Sequence, residues 1–407
     1  MQRVVVTGYG IVSPLGIGAQ QTWEALLEGR SGVGPITLFD PSEVETQVAA
    51  EVKNLDAAAL LDRRAARRLD RKEILATLAA REALEHSGLQ ITEENRERIG
   101  LSVSSAFGGI GSILEEVRVM LERSLRDVNP LSMLKFMTTS PTVSIAYDLR
   151  GPSFSVASAC ASGGDAIGLA MQIIREGRAD AMLAGAADAP INPLIVSLLL
   201  RMGVHSRRND HTPAPFSADR DGLVAGEGAG VLVLESLEFA RRRGANILAE
   251  LVGYGATTDA FHLTAPREDA SDAARAIRLA MDDAHLNPED VDYINAHGTG
   301  TRLNDPAETL AIKLALGPRA YEIPVSSTKS MTGHIMGATG AMEAIFCIQA
   351  MHYGVVPPTI NYSAGDPECD LDYVPNHARE VSVRVALSNS FGFGGHNAVL
   401  ALRRFEN

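Results

Sequence analysis

The sequence predicts an α/β fold built from two similar halves. Short runs rich in Val, Ile and Ala alternate with amphipathic stretches along all 407 residues, and such runs suit buried strands. Val6-Thr7-Gly8-Tyr9-Gly10 resembles Leu251-Val252-Gly253-Tyr254-Gly255. After each, a helix ends in a polar loop that leads into a strand (Ala83–Gly100 and Met281–Asp292). A later strand then enters a small-residue bend and a helix (Val156–Ile174 and Val325–Met351). A repeat of this kind predicts two βα layers packed together, with halves at 1–245 and 246–407.

Taken in order, the expected strands are Arg3–Thr7, Gly100–Ser104, Ser153–Ser158, Ala179–Leu183, Ala229–Glu235, Ile247–Gly253, Tyr293–Ala296, Val325–Thr328, Val385–Ser388 and Ala398–Leu402. The expected helices are Lys72–His86, Ser162–Glu176, Ala270–Ala284, Pro306–Leu316 and Gly340–His352. No long linker or low-complexity segment separates the halves.

Composition excludes several classes. At 45% hydrophobic and 21% charged the chain is ordinarily globular. A net charge of −13 disfavours nucleic acid. No apolar run is long enough to span a bilayer, and Met1 opens directly into a strand pattern, so no signal peptide is expected. Three cysteines, Cys160, Cys347 and Cys369, are too few and odd in number for a disulfide framework, which predicts a reducing, cytoplasmic setting. C-x-x-C and H-E-x-x-H are absent, so no zinc is expected. One basic stretch stands out. Arg63, Arg67 and Arg71 are spaced by four, as are Arg64, Arg68 and Lys72. In a helix these rows make one stripe; a solvated face softened by Asp62, Asp70 and Glu73 is the competing reading.

Four segments carry residues suited to chemistry. In Ser153–Gly164 an apolar strand meets small residues and then a helix, placing Cys160 at a tight bend near a helix N-terminus. Partial positive charge and free N–H groups there favour a thiolate; a buried structural cysteine is the alternative. Cys347 lies on an apolar helix face, and Cys369 sits among Asp366, Glu368 and Asp370, which disfavour a thiolate. The second segment, Asn295-Ala296-His297-Gly298-Thr299-Gly300-Thr301, ends a strand before a helix, with Asp305 suited to the N-cap and Glu308 beyond. The third, Ser326–His334, sets Lys329 just after a strand and His334 in a Gly-rich turn. In the last, Ser388–Asn397, Phe391 and Phe393 lie between glycines, as a hairpin turn or as a gate over an apolar channel.

Together with Val4–Gly10 and Ser13–Gly16, these motifs resemble the elongating β-ketoacyl-acyl-carrier-protein synthases, type II, over essentially the whole chain. The resemblance implies a thiolase-like five-layer fold of two duplicated βα halves, no cofactor and no metal. It implies that Cys160 accepts the acyl group, that His297 and His334 handle malonyl decarboxylation, and that Lys329 supports them. Glu343, Asp305 and Glu308 would brace the site. Thr299, Thr301 and Phe391 would meet substrate, and the Phe393 and Cys160 N–H groups would form an oxyanion hole. The implied partner is acyl carrier protein, loaded with acyl or malonyl groups. It would dock on Arg63, Arg64, Arg67, Arg68, Lys72, Arg207 and Arg208. A homodimer is implied, with a heterodimer as the alternative.

Phe107 departs from the smaller aliphatic residue often found at its position. A phenyl ring there predicts a shortened pocket, or one for flat polyene chains. Asp188-Ala189-Pro190-Ile191-Asn192-Pro193 and Asp366–Pro375 also resemble ketosynthases of type II polyketide systems. Polyketide extension is therefore the alternative to fatty acid elongation, and a non-catalytic chain-length subunit, which lacks the cysteine, is a further one.

Overall fold

The computed structural model describes residues 1–61, 68–136 and 140–406, without the side chains of 140 and 141. We number its principal strands β1 (Val4–Ser13), β2 (Ile99–Ser104), β3 (Ala181–Asp188), β4 (Gly228–Ser236), β5 (Ala249–Thr258), β6 (Tyr293–Asn295), β7 (Val325–Ser326), β8 (Val385–Gly392) and β9 (His396–Arg403). The principal helices are α1 (Arg71–Ser87), α2 (Ser162–Arg175), α3 (Pro193–Arg201), α4 (Ser271–Asp283), α5 (Asn304–Leu316) and α6 (Thr339–Tyr353).

The strand order is β7-β6-β8-β9-β5-β1-β4-β3-β2. It reads alike outward from its middle. The β1–β4 and β4–β3 pairs are antiparallel and β3–β2 is parallel; β5–β9 and β9–β8 are antiparallel and β8–β6 is parallel. Among the described residues the two arms of the sheet share one ladder, Val4–Val6 against Ala249–Leu251. Helix α1 covers one arm and α4 the other, while α6 packs on β4 from one side and β8 from the other. The result is five layers, α/β/α/β/α. The central position of α6 follows from its composition. Every residue from Thr339 to Met351 is buried, and a helix apolar on all sides must lie between other layers.

The Gly-Tyr-Gly repeat has a physical cause. A Cβ at Gly8 would fall 2.4 Å from the Ala83 carbonyl of α1, and one at Gly10 would fall 2.1 Å from that of Ala79. Likewise Gly253 and Gly255 would each place a Cβ 2.1 Å from carbonyls of α4, Ala280 and Ala276 respectively. Each arm thus presses its outer helix directly onto strand backbone. At the centre, α2 meets the α6 segment as closely: a Cβ on Gly163 would lie 2.7 Å from the Gly337 carbonyl and 2.9 Å from the Ala341 nitrogen.

Three expectations change. Among the described residues Ser153–Ser158 forms no ladder; Ser153 makes a single bridge to Leu101, beside the β2 edge. Its exposure still alternates, with Ser153, Ser155 and Ala157 out and Phe154 and Val156 half-buried, so it is strand-like. Asp305 is not an N-cap, because α5 begins at Asn304 and Leu303 precedes it. Lys72 is fully buried. Helix α1 starts with a capping box, Lys72 N–H donating to Asp70 and Asp70 N–H to Glu73, which draws its first turn into the protein. Lys72 therefore cannot belong to an exposed stripe. Arg71 also turns inward, to Glu227 at 2.6 Å. Arg63, Arg64 and Arg67 lie outside the described residues, and Arg68 is exposed.

Candidate active site

Cys160 lies in a single 3-10 turn, Ala159–Ala161, immediately before α2. Ala159 is held at φ 50°, a costly conformation for a residue with a Cβ. Hydrogen bonds maintain it: Ser162 Oγ accepts from the Ser158 N–H at 3.0 Å and donates to the Ala159 carbonyl at 2.7 Å. Ser158 donates in turn to Asp165, which also accepts from Tyr254 at 2.6 Å. The strained turn tips the Cys160 thiol out of the helix and into a cavity.

His297 arrives at the end of β6 and His334 in the turn before α6. One nitrogen of each ring and the Cys160 sulfur lie within 4.8 Å of one another. The imidazoles meet edge to face, with centroids 5.3 Å apart. Both rings sit well below the ordinary imidazole pKa, first because of burial and then because of Lys329. They are neutral at neutral pH. The Met336 N–H donates to His334 Nδ1 at 3.1 Å. A nitrogen that accepts carries no proton, so neutral His334 presents Nε2–H. His297 Nδ1 is buried with no hydrogen-bond partner among the described residues.

Lys329 and Glu343 form a fully buried ion pair at 2.6 Å. Burial pushes Glu343 up to about 7, against the pull of Lys329. Cysteine and two histidines could hold a metal, but the Lys329 ammonium acts on all three and would repel a cation there. The arrangement suits a transient anion instead.

Cys160 itself corrects an expectation. Its thiol is pushed up to about 11, not down, because burial outweighs Lys329 and the N–H groups of Phe393 and Cys160 that reach the sulfur. Two N–H donors converging there suit a developing oxyanion. The β8–β9 hairpin brings Phe393 there. Gly392 packs so closely on the cysteine turn that a Cβ would lie 3.0 Å from the Cys160 nitrogen and the Ser158 carbonyl. The Phe393–Gly395 turn is itself pinned: the Gly394 N–H donates to the Leu263 carbonyl and the Asp259 N–H to that of Gly395, both within 2.9 Å.

Carboxylates shape the 297–301 loop. Glu308 accepts from the N–H groups of His297 at 2.8 Å and Gly298 at 2.7 Å, and from Asn389 at 3.1 Å. Asp305 accepts from Phe216 at 2.7 Å and Gly300 at 3.2 Å. Both carboxyls are fully buried, and burial raises their pKa against the pull of these donors. Thr299 and Thr301 share a hydroxyl contact at 2.9 Å and line the cavity together with Phe107, Phe391 and Phe393.

The cavity has a volume of about 690 Å³ and reaches from Cys160 past Leu199, Leu223 and Met336 to exposed Arg207, Arg302 and Leu303. Arg302 had no signal in the sequence, since a lone arginine after a Gly-Thr loop looks like any solvated residue. Arg207 pairs with Glu45 at 2.6 Å and Arg208 with Asp219 at 3.1 Å. Cys347 and Cys369 are buried, and burial raises both thiols, Cys369 to about 12.

The five-layer fold is that of a thiolase-like acyltransferase. The chain belongs to the beta-ketoacyl synthase family: the family's N-terminal domain matches residues 1–240 and its C-terminal domain residues 248–363. It is 46% identical to the 3-oxoacyl-[acyl-carrier-protein] synthase 2 of Synechocystis sp., covering 100% of this chain and 99% of that protein. Among solved structures it resembles the ishigamide ketosynthase/chain length factor, with a TM-score of 0.93, 37% identity and full coverage of both chains. A type II polyketide ketosynthase bound to a hexaketide, in complex with its acyl-carrier protein, gives a TM-score of 0.92 at 34% identity, covering 99% of this chain and 100% of that one.

Proposed function

We propose that the chain condenses an acyl group held on Cys160 with malonyl-acyl carrier protein, giving 3-oxoacyl-acyl carrier protein in fatty acid elongation. The observation that carries this reading is the convergence of Cys160, His297 and His334 within 4.8 Å at one cavity. In the first half-reaction the Cys160 sulfur attacks the acyl thioester. The N–H groups of Cys160 and Phe393 hold the developing oxyanion, the carbon–sulfur bond to the carrier breaks, and the carrier sulfur leaves as a thiol with the proton that Cys160 gave up. In the second, malonyl loses CO2 and its electron pair passes to an enolate, which the Nε2–H of His334 and the His297 ring stabilise. The enolate carbon then attacks the acyl-cysteine carbonyl, the carbon–carbon bond forms as the carbon–sulfur bond breaks, and the Cys160 thiolate released takes up a proton from solvent. Carbon dioxide release drives the sequence, and no redox step is involved. Lys329 supports the anions from its pair with Glu343. Asp305 and Glu308 brace the loop, while Thr299, Thr301, Phe107 and Phe391 contact substrate.

Carrier docking falls to Arg68, Arg207 and Arg208, joined by Arg302 at the cavity mouth; Arg63, Arg64 and Arg67 lie outside the described residues. The halves at 1–245 and 246–407 are supported by the mirrored strand order. A homodimer is supported by exposed Leu134 and Ile145. Three free cysteines fit a cytoplasmic setting, and no helix among the described residues is long and apolar enough to cross a membrane.

A second reading, polyketide extension, draws on Phe107 in the cavity wall and on the two ketosynthase structures. The higher identity to the Synechocystis protein favours fatty acid elongation. Intact-mass spectrometry with a series of acyl-carrier thioesters tests both readings. An acyl adduct absent from Cys160→Ala supports the nucleophile, and the favoured chain length separates the pathways. Absence of any adduct on the native chain would refute the condensing reading.

A further inference from the structure

Asp188 ends β3, is fully buried and does not line the cavity. Its Oδ1 accepts from the Ser105 hydroxyl at 2.6 Å, the Ala106 N–H at 3.1 Å and the Phe107 N–H at 3.2 Å. Its Oδ2 accepts from the Ala106 N–H at 3.0 Å and the Gly337 N–H at 2.8 Å. One carboxylate therefore ties two segments far apart in sequence. The first, 105–107, carries the phenyl wall of the cavity. The second, 336–338, is the turn that directly follows His334 and whose Met336 N–H fixes the His334 tautomer.

The junction leaves no slack. A Cβ on Gly337 would lie 2.9 Å from Asp188 Oδ2, 3.0 Å from the Ala106 nitrogen and 3.1 Å from the Ser162 Cβ, at the start of α2. The pocket wall, the His334 turn and the helix behind Cys160 thus meet at this carboxylate. No cation pairs with Asp188 among the described residues, so neutral donors alone hold it. Burial raises its pKa against these donors, and every one of them favours the ionised form. A carboxylate with two oxygens can accept from both segments at once; an amide cannot, because its NH2 would face an N–H donor.

We propose that Asp188 is a positioning residue that sets the Phe107 wall relative to the His334 turn, so that chain-length selection and malonyl decarboxylation depend on one carboxylate. This rests on the roles proposed above for Phe107 and His334. The test uses the purified full chain and its near-isosteric variant Asp188→Asn. Three quantities are measured: thermal stability, loading of Cys160 across carrier thioesters from butyryl to palmitoyl, and decarboxylation of malonyl-acyl carrier protein. The expected result is a changed ranking of chain lengths together with decarboxylation lowered on the order of tenfold relative to loading, as small displacements of catalytic groups produce. A merely structural role would lower stability while leaving both the ranking and the ratio of decarboxylation to loading unchanged, and that result would overturn the proposal. Should Asp188→Asn fail to fold, Ser105→Ala removes one donor and keeps the carboxylate. It is expected to change the chain-length ranking, and an unchanged ranking overturns the proposal. A native chain that loads no acyl group overturns the condensing reading itself, and this inference with it.

Discussion

Cys160 is subject to opposing influences, and their balance makes a prediction. Burial raises its thiol to about 11, while Lys329 and two N–H groups pull it down. Below that value the thiolate fraction grows tenfold per pH unit. Alkylation of Cys160 by iodoacetamide should therefore rise about tenfold per unit between about pH 7 and 10, and a plateau near pH 7 would contradict this balance. Lys329 has a second consequence through Glu343. Burial raises Glu343 to about 7 from its ordinary 4.5. A carboxyl raised on folding binds more protons in the native state, so its contribution is full below 4.5 and is lost as pH rises through the folded value. In Lys329→Met the lowering influence of the ammonium is gone and the Glu343 pKa climbs further. The variant should lose about 3–5 kcal/mol at pH 8, as a broken buried pair does, and less at pH 6, where Glu343 takes up a proton. Urea unfolding at the two pH values measures the difference.

At the scale of elements, the hairpin turn and the cysteine turn act as one unit. Gly392 allows β8 to approach the Cys160 backbone to within van der Waals contact. Gly392→Ala should push the Phe393 N–H away from the sulfur and lower kcat by about a hundredfold, the cost of losing an oxyanion donor; an unchanged kcat would show that the donor lies elsewhere. Much of this geometry is legible in the sequence. The bend at Cys160, the helices behind both histidines and the β8–β9 hairpin follow from apolar runs broken by glycine. Asp305 misleads, because an acid just before Pro306 fits an N-cap equally well, and only the fold reveals Phe216 and Gly300 as its donors. Lys72 misleads because a four-residue spacing of cations does not show which face turns inward. The raised Cys160 thiol is illegible for a related reason: local sequence shows the helix N-terminus but not the depth of burial that opposes it.

On the scale of the whole molecule, segment 153–158 lies beside β2 and runs directly into the turn that carries Cys160. Nearby in sequence, Leu134 is 64% exposed and Ile145 82% exposed, and large apolar groups left in water mark an interface. Pairing of two copies over this surface would cover these groups. The native chain should then sediment at twice its own mass at micromolar concentration. Leu134→Glu combined with Ile145→Glu should shift it to a monomer by burying charge in the contact. That monomer should keep its far-ultraviolet circular dichroism. A native chain that sediments as a monomer would remove the dimer.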